Sequence, residues 1–334
     1  MNQIAVNRKT DSPLDSVPII DVDTLYQAVT RREIDRACRE WGFFQVIGHG
    51  IPMETFSNLQ EQMKLFFAQS KAEKHRILRT LDNPWGYYDQ ELTRNTLDWK
   101  EIYDYGPAYN PEVGGDVGLA PQWPRGLPRF QPAILAFYSA CEKLAFRLLE
   151  TISLNLGMPL GYLNREFKGG HSSFLRLNHY PVCPKPEHPE DASEPVDGFL
   201  GLNRHTDAGA LTILLQDRQP GLEVFNEGRW HLVQPIEGAL TINIGDMVQV
   251  WSNDRYKAAL HRVVASLAAE RFSAPFFFNP GYTTNYAPLP STMDVCTPSR
   301  YHTINWGQFR ALRAAGDFAD QGEEIQISHY RTNA

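Results

Sequence analysis

The pattern of apolar and polar positions changes character once along this chain, near residue 172. Ahead of that point the apolar positions recur at helical spacing. Residues 26–41, YQAVTRREIDRACREW, carry Val29, Ile34, Ala37 and Trp41 at intervals of three to five, which predicts an amphipathic helix. A second helix is predicted over 53–69, with Met63, Phe66 and Phe67 on its buried side. The strongest helical signal runs over 130–157 and ends at Gly157, two residues before Pro159. Between these, VPIIDVDTL (17–25) and GFFQVIGHGIP (42–52) read as short strands, and LDNPWGYYDQ reads as a loop of turn formers and aromatics.

Beyond 172 the pattern becomes short alternating runs: FLRLNHYP, ALTILLQD, LEVFNEGRWHLV, ALTINIGDMVQVWS, HRVVAS and RFSAPFFFNP. Strands of this length, separated by Gly, Asn and Pro turns, predict an antiparallel sandwich or barrel, with a hairpin at Gly228. PKPEHPEDASEPVDG (184–198) reads as a solvated acidic loop, and WGQFRALRAA, after residue 300, as a short helix with a polar end. The expected fold class is α+β. Its parts are an N-terminal region of strands and helices (1–120), a β core with its preceding long helix (121–299) and a helical tail (300–334).

Composition narrows the function. A chain of 334 residues can bury a substantial core, and nothing in it demands more than a monomer. The net charge of −7, with its acidic residues scattered, argues against nucleic-acid and anionic-membrane partners and leaves a small molecule as the expected one. MNQIAVNRKTDSPLDS has no apolar leader core, and no run of about 18 apolar residues follows, so a cytoplasmic protein is expected. Cys38, Cys141, Cys183 and Cys296 form no C-x-x-C pair and are expected to be reduced, packed thiols.

The candidate chemistry begins at NRHTDAGALTILLQD. His205 and Asp207 are two residues apart, and in an extended segment they project from one face. A single His-x-Asp is equally compatible with a structural pair. His261, at the start of another predicted strand, changes the balance. Two imidazoles and one carboxylate on neighbouring strands make one face of an octahedron and leave three positions open, which is the arrangement of non-haem Fe(II) oxygenases. Zinc favours closed tetrahedral sets, often with thiolates, and no cysteine lies near these residues in sequence. His179 and His188 beside Cys183 are read as surface or packing residues, His49 as a turn cap, and PEVGGDVG as too loose for a phosphate loop.

A second group follows in RFSAPFFFNP, where alternation puts Arg271, Ser273, Pro275, Phe277 and Asn279 on one face. An inward Arg in an apolar strand is costly without an anion. Its partner is either an internal Asp or Glu or a small dicarboxylate held with help from Ser273. FLRLNHYP places Arg176, Asn178 and Tyr180 on one face by the same rule.

With these residues in view, the chain resembles the 2-oxoglutarate and Fe(II)-dependent dioxygenases of the isopenicillin N synthase-like family. The resemblance runs from VPIIDVDTL and REWGFFQVIGHGIP through NHYPVCPKP and HTDAGALTILLQD to GLEVFNEGRWHLVQPIEGALTINIGDMVQVWSNDRYKAALHRV and RFSAPFFFNP. It implies a distorted double-stranded β-helix, or cupin-like jelly roll, with His205, Asp207 and His261 on the iron. It further implies Arg271 and Ser273, with Tyr180, on the distal carboxylate of 2-oxoglutarate, and Asn178 near the iron-chelating end. The reaction implied is O2-dependent decarboxylation of 2-oxoglutarate to succinate and CO2, coupled to hydroxylation or desaturation of a metabolite, typically in secondary metabolism. The stretch PKPEHPEDASEPVDGFLGLN is longer than usual for the family. Arg-x-Ser also occurs in members that do not use 2-oxoglutarate, so an Fe(II) oxidase or cyclase is the alternative and a non-enzymatic metabolite-binding jelly roll a third reading. Positions matching substrate contacts in relatives are Arg176, Phe277 and Asn279, with Trp85 and Tyr87 closing over them. They imply an aromatic pocket with Arg176 as a cationic anchor for an acidic group.

Overall fold

The computed structural model describes residues 16–80, 82–106, 119–168, 170–187, 198–316, 322 and 324–332. Most of the acidic loop, PEVGGDVG, His188 and the first fifteen residues lie outside the described residues.

Twelve strands build two sheets. They are β1 (Ile19–Asp21), β2 (Phe43–Ile47), β3 (Gly86–Tyr88), β4 (Glu101–Tyr105), β5 (Phe174–Tyr180), β6 (Leu200–His205), β7 (Leu211–Gln216), β8 (Leu222–Asn226), β9 (Arg229–Leu232), β10 (Leu240–Ile244), β11 (His261–Val264) and β12 (Arg271–Phe278). The larger sheet has the order β1-β2-β10-β7-β12-β5-β4-β3, and the smaller is β9-β8-β11-β6. The N-terminal region is therefore built into the core: β1 and β2 extend one edge of the larger sheet, and β3 and β4 the other. This is a double-stranded β-helix with flanking helices, in the α+β class expected.

The alternation read from the sequence is what separates the two faces. In β12, Phe272, Ala274, Phe276 and Phe278 join the main apolar core, as Leu175 and Leu177 do in β5. That core lies under the helix Phe130–Asn155, which buries Phe137, Leu144, Leu148 and Ile152 against it. Each such side chain contributes about 1.5–3 kcal/mol on burial. On the opposite face, Tyr180 and Leu214 of the larger sheet meet Leu222, Val224 and Val263 of the smaller one in a separate, smaller cluster. The candidate metal and carboxylate-binding residues sit in this inter-sheet space.

Helices form over Ala28–Glu40 and Met53–Phe67 as the spacing predicts. In the first, the buried stripe runs through Thr30, Ile34, Ala37 and Cys38, and Val29, expected inside, is exposed. A stripe anchored by Ile34 and Cys38 turns position 29 outward, because neighbouring helical residues differ by about 100°. ALTINIGDMVQVWS is not one extended run: the strand stops at Ile244 and a short helix spans Asp246–Trp251. Gly245 makes the break, since a Cβ there would lie 2.1 Å from the carbonyl oxygen of Gly209. The hairpin at Gly228 is present, with positive φ at both Glu227 (48°) and Gly228 (80°). His49 caps its turn, accepting the Ile51 amide at 3.1 Å. All four cysteines are free thiols, three of them buried and Cys296 exposed. Among the described residues no helix is long and apolar enough to cross a membrane.

Candidate active site

β6 ends at His205 and β11 begins at His261, and the antiparallel register sets the two directly opposite each other. Asp207 follows in the turn before β7. Potential ligand atoms of the three lie within 4.8 Å of one another, with Asp207 Oδ1 at 3.4 Å from His205 Nε2 and 3.7 Å from His261 Nε2. Hydrogen bonding selects these atoms. Each imidazole engages a backbone carbonyl through Nδ1, His205 with Asn203 at 2.8 Å and His261 with Ala259 at 3.0 Å. The proton belongs on Nδ1, and Nε2 presents its lone pair to the shared centre. The other carboxylate oxygen, Asp207 Oδ2, accepts from the Thr212 hydroxyl and from Asn243 Nδ2 at 2.8 Å, so Oδ1 is the one turned inward.

The charges are set for a cation. Burial, together with the neighbouring His205, pushes His261 down to about 4 against the opposing pull of Asp207, so the imidazole is neutral at pH 7. Burial works against the Asp207 carboxylate, but the two imidazoles and the Thr212 hydroxyl outweigh it and hold the group well below the usual carboxylate range. Two imidazole nitrogens and one carboxylate oxygen, converging on one side only, fit a divalent iron with open positions. Thr212 and Asn243 escape a reading of the sequence. Their signal is a polar residue at an inward position of an apolar strand, ALTILLQD and ALTINIGD.

A narrow apolar cavity runs from these residues between the sheets to Arg271. Its walls include Leu214, Leu222 and Val263, and Asn178, Tyr180 and Ser273 also line it. The β5–β12 register pairs Arg271 with Tyr180 and Ser273 with Asn178, so four predicted residues form a compact block. Arg271 is 3% exposed and has no carboxylate partner among the described residues. Its Nη2 donates to Gln216 Oε1 at 2.9 Å, while Nε and Nη1 are buried without a hydrogen-bond partner. Asn178 Oδ1 is likewise unpartnered, and its Nδ2 donates to Ser273 Oγ at 3.3 Å. A buried guanidinium left in this condition costs several kcal/mol unless an anion completes it. The donor set fits one end of a dicarboxylate.

On the other side of the triad an outer cavity of about 140 Å³ opens, bounded in part by Phe174, Phe277, Asn279, Trp306 and Arg310. Phe277 stacks on Phe174, with ring centroids 4.6 Å apart. Asn279 is buried, with Nδ2 donating to the Ser172 carbonyl at 3.3 Å. The structure corrects two of the expected wall residues. Tyr87 does not face this cavity: its ring is 2% exposed in the main core and its hydroxyl donates to Glu101 at 2.5 Å. As the middle residue of β3 it points opposite to its neighbours, a strand that the turn-rich local sequence concealed. Trp85 lines a neighbouring cavity instead, beside Tyr282 and Arg310.

Arg176 is the third correction. It does line the outer cavity, but its fork is engaged by Asp104 through Nε and Nη2, both at 2.8 Å, and Nη1 donates to Glu91 at 2.8 Å. Its charge is neutralised inside the protein. We expect Arg176→Leu to destabilise the fold by about 3 kcal/mol in urea titrations, because two buried carboxylates each lose one of their cationic partners, Glu91 keeping Lys100 and Asp104 keeping Arg79. A stability within about 1 kcal/mol of wild type, with substrate affinity selectively lost, would restore Arg176 as an anchor.

A jelly roll in which two histidines and an aspartate converge between the sheets has the architecture of the non-haem Fe(II) oxygenases. The comparisons with known proteins define the family. Residues 171–280 match the 2OG-Fe(II) oxygenase superfamily, and residues 17–126 match the N-terminal region described as "non-haem dioxygenase in morphine synthesis". The chain is 31% identical to 1-aminocyclopropane-1-carboxylate oxidase 5 of Arabidopsis thaliana, over 91% of its own length and 95% of that protein. It is 34% identical to gibberellin 20 oxidase 1 of the same plant, covering 88% of this chain and 77% of that one. The crystal structure of JOX2 in complex with 2OG, Fe and JA superposes with a TM-score of 0.78 at 29% identity, over 94% of this chain and 88% of the other. The chain belongs to the 2OG-Fe(II) oxygenase superfamily. It is a 2-oxoglutarate-dependent dioxygenase, an oxidoreductase whose cofactors are Fe(II), 2-oxoglutarate and O2.

Proposed function

We propose that His205, Asp207 and His261 hold the iron, that Arg271 and Ser273 take the distal carboxylate of 2-oxoglutarate beside Tyr180, and that a small metabolite occupies the outer cavity and is hydroxylated or desaturated there. When bound, iron and 2-oxoglutarate supply the oxidising chemistry, with succinate and CO2 released. The chain's own residues position and exclude. Thr212 and Asn243 fix the Asp207 carboxylate, the Asn203 and Ala259 carbonyls fix the imidazole tautomers, and Leu214, Leu222 and Val263 keep water from the cosubstrate's methylene groups. Asn178, which lines both cavities and has one unpartnered oxygen, would lie near the cosubstrate's chelating end.

The observation that carries this reading is the buried Arg271, with two unpartnered nitrogens and a cavity leading from it to the triad. Arg-x-Ser alone does not separate this reading from an iron oxidase; the apolar cavity that joins the unpartnered Arg271 nitrogens to the triad favours a dicarboxylate reaching from one to the other. The test is oxygen uptake by the Fe(II)-loaded protein with and without 2-oxoglutarate, with succinate measured in parallel. Uptake that requires 2-oxoglutarate and keeps pace with succinate is expected. Uptake indifferent to 2-oxoglutarate would overturn the reading in favour of the oxidase.

A further inference from the structure

The polar walls of the outer cavity are balanced except at one residue. Lys100, Arg176 and the adjoining Arg79 are interlocked with Glu91, Asp98 and Asp104. Lys100 lies 2.7 Å from Glu91 and 2.9 Å from Asp98, and Arg79 lies 3.0 Å from Asp104. Together with the Arg176 contacts, this sets three cations against three carboxylates. Arg313 is paired with Glu324 at 2.7 Å and donates to the Thr206 carbonyl at 3.0 Å. Arg310 remains. Among the described residues it makes no hydrogen bond or ion pair with the protein, and its guanidinium rests over the Phe174 ring, 5.4 Å from the centroid.

Its placement is not that of a surface arginine. Trp306, Arg310 and Arg313 stand at i, i+4 and i+7 on the helix Trp306–Gly316, which puts them on one face, and all three line the outer cavity. Trp306 is fully buried and fixed by its indole donating to Ser172 Oγ at 2.8 Å, so this helical face is held against the sheet. Arg310 also borders the neighbouring cavity that contains Trp85 and Tyr282, and thus stands in the partition between the two spaces.

We propose that Arg310 is the recognition residue for an anionic group on the prime substrate, and that the substrate is a small carboxylic acid with an apolar body. The proposal rests on the functional reading above, in which the outer cavity holds the substrate. The carboxylate meets the guanidinium fork, which remains able to stack on Phe174 while donating in its own plane. The apolar body then lies along Phe174, Phe277 and Trp306 towards the metal triad. Specificity for the ionised acid follows from the charge balance: every other cation on this wall already has its anion.

The experiment uses the full-length protein and a panel of probes comprising phenylacetate, cinnamate and a medium-chain fatty acid, each alongside its methyl ester, with binding read by calorimetry. At least one acid is expected to bind wild type about 10-fold or more tightly than its ester, as loss of a charge-assisted contact implies. In Arg310→Gln that preference is expected to fall to within about 2-fold, and in Arg310→Lys to an intermediate value, because lysine keeps the charge and loses the fork and the stacking. Wild-type protein that binds no acid better than its ester, or an undiminished preference in a folded Arg310→Gln, overturns the proposal. Should Arg310→Gln not fold, the wild-type ratio and that of Arg310→Lys decide. A separate titration of wild type with 2-oxoglutarate tests the functional reading, and its failure leaves the acid-to-ester ratio measurable.

Discussion

Replacement of His205, Asp207 or His261 by alanine will cost more than 100-fold in Fe(II) affinity and abolish succinate production. The scale follows from what lies behind the ligands: removing a group that merely orients a metal ligand typically costs about 10–100-fold, and removing a ligand costs more. Asp207 should be the most sensitive of the three, because its carboxylate is the only negative charge in the proposed coordination set. The expectation is graded. Thr212→Val and Asn243→Leu leave all three ligands in place but release Asp207 Oδ2, and should fall in the 10–100-fold range. Iron retained after dialysis, measured with 2-oxoglutarate-dependent succinate release, checks both tiers. Any alanine variant with wild-type iron content and turnover would remove that residue from the ligand set.

The second large effect is expected at Arg271. Arg271→Ala should raise the apparent KM for 2-oxoglutarate by an amount corresponding to roughly 2–5 kcal/mol, the cost of breaking a buried charge-assisted pair. That is roughly 30-fold to several thousand-fold. The KM for the prime substrate should move far less, since Arg271 lies at the end of the inner cavity and not on the outer wall. Ser273→Ala removes one hydrogen-bonding group and should cost about 1 kcal/mol. In the free protein the sign is reversed: Arg271 is an incompletely satisfied buried cation, so Arg271→Met should leave unliganded stability unchanged or raised. A 2-oxoglutarate titration of Arg271→Ala that overlays wild type would place the cosubstrate elsewhere.

Local periodicity carried most of the fold. Period-two alternation in RFSAPFFFNP and FLRLNHYP is a property of adjacent residues, and it sorted Arg271, Ser273, Phe277, Asn178 and Tyr180 to one side of the sheet and Phe272, Phe276 and Phe278 to the other, as found. The long helix was legible for the same reason, with a 3.6-residue period maintained for seven turns and stopped at glycine. The errors fell where the local signal was mixed. Strand β3 is three residues long and lies in a turn-rich stretch, so the inward direction of Tyr87 had no periodicity behind it. At Gly245 the apolar pattern continues across a change from strand to helix that a close backbone contact with Gly209 enforces.

The two arginines mark the boundary between what each level determines. By sequence Arg176 and Arg271 are the same object, an inward cation on an apolar strand. The sequence alone determined that each must find an anion, because an unpaired buried guanidinium is too costly. Which anion each finds was decided only by tertiary structure. Asp104 and Glu91, 72 and 85 residues from Arg176 along the chain, are brought to it by the pairing of β4 with β5 and by the loop ahead of that strand. Among the described residues no carboxylate forms an ion pair with Arg271. The helix that carries Arg310 likewise reads as an ordinary amphipathic segment until Trp306 is seen to dock it over the cavity. Alternation and helical period are set by covalent geometry over a few residues, whereas charge compensation depends on which distant segments the sheet order makes neighbours.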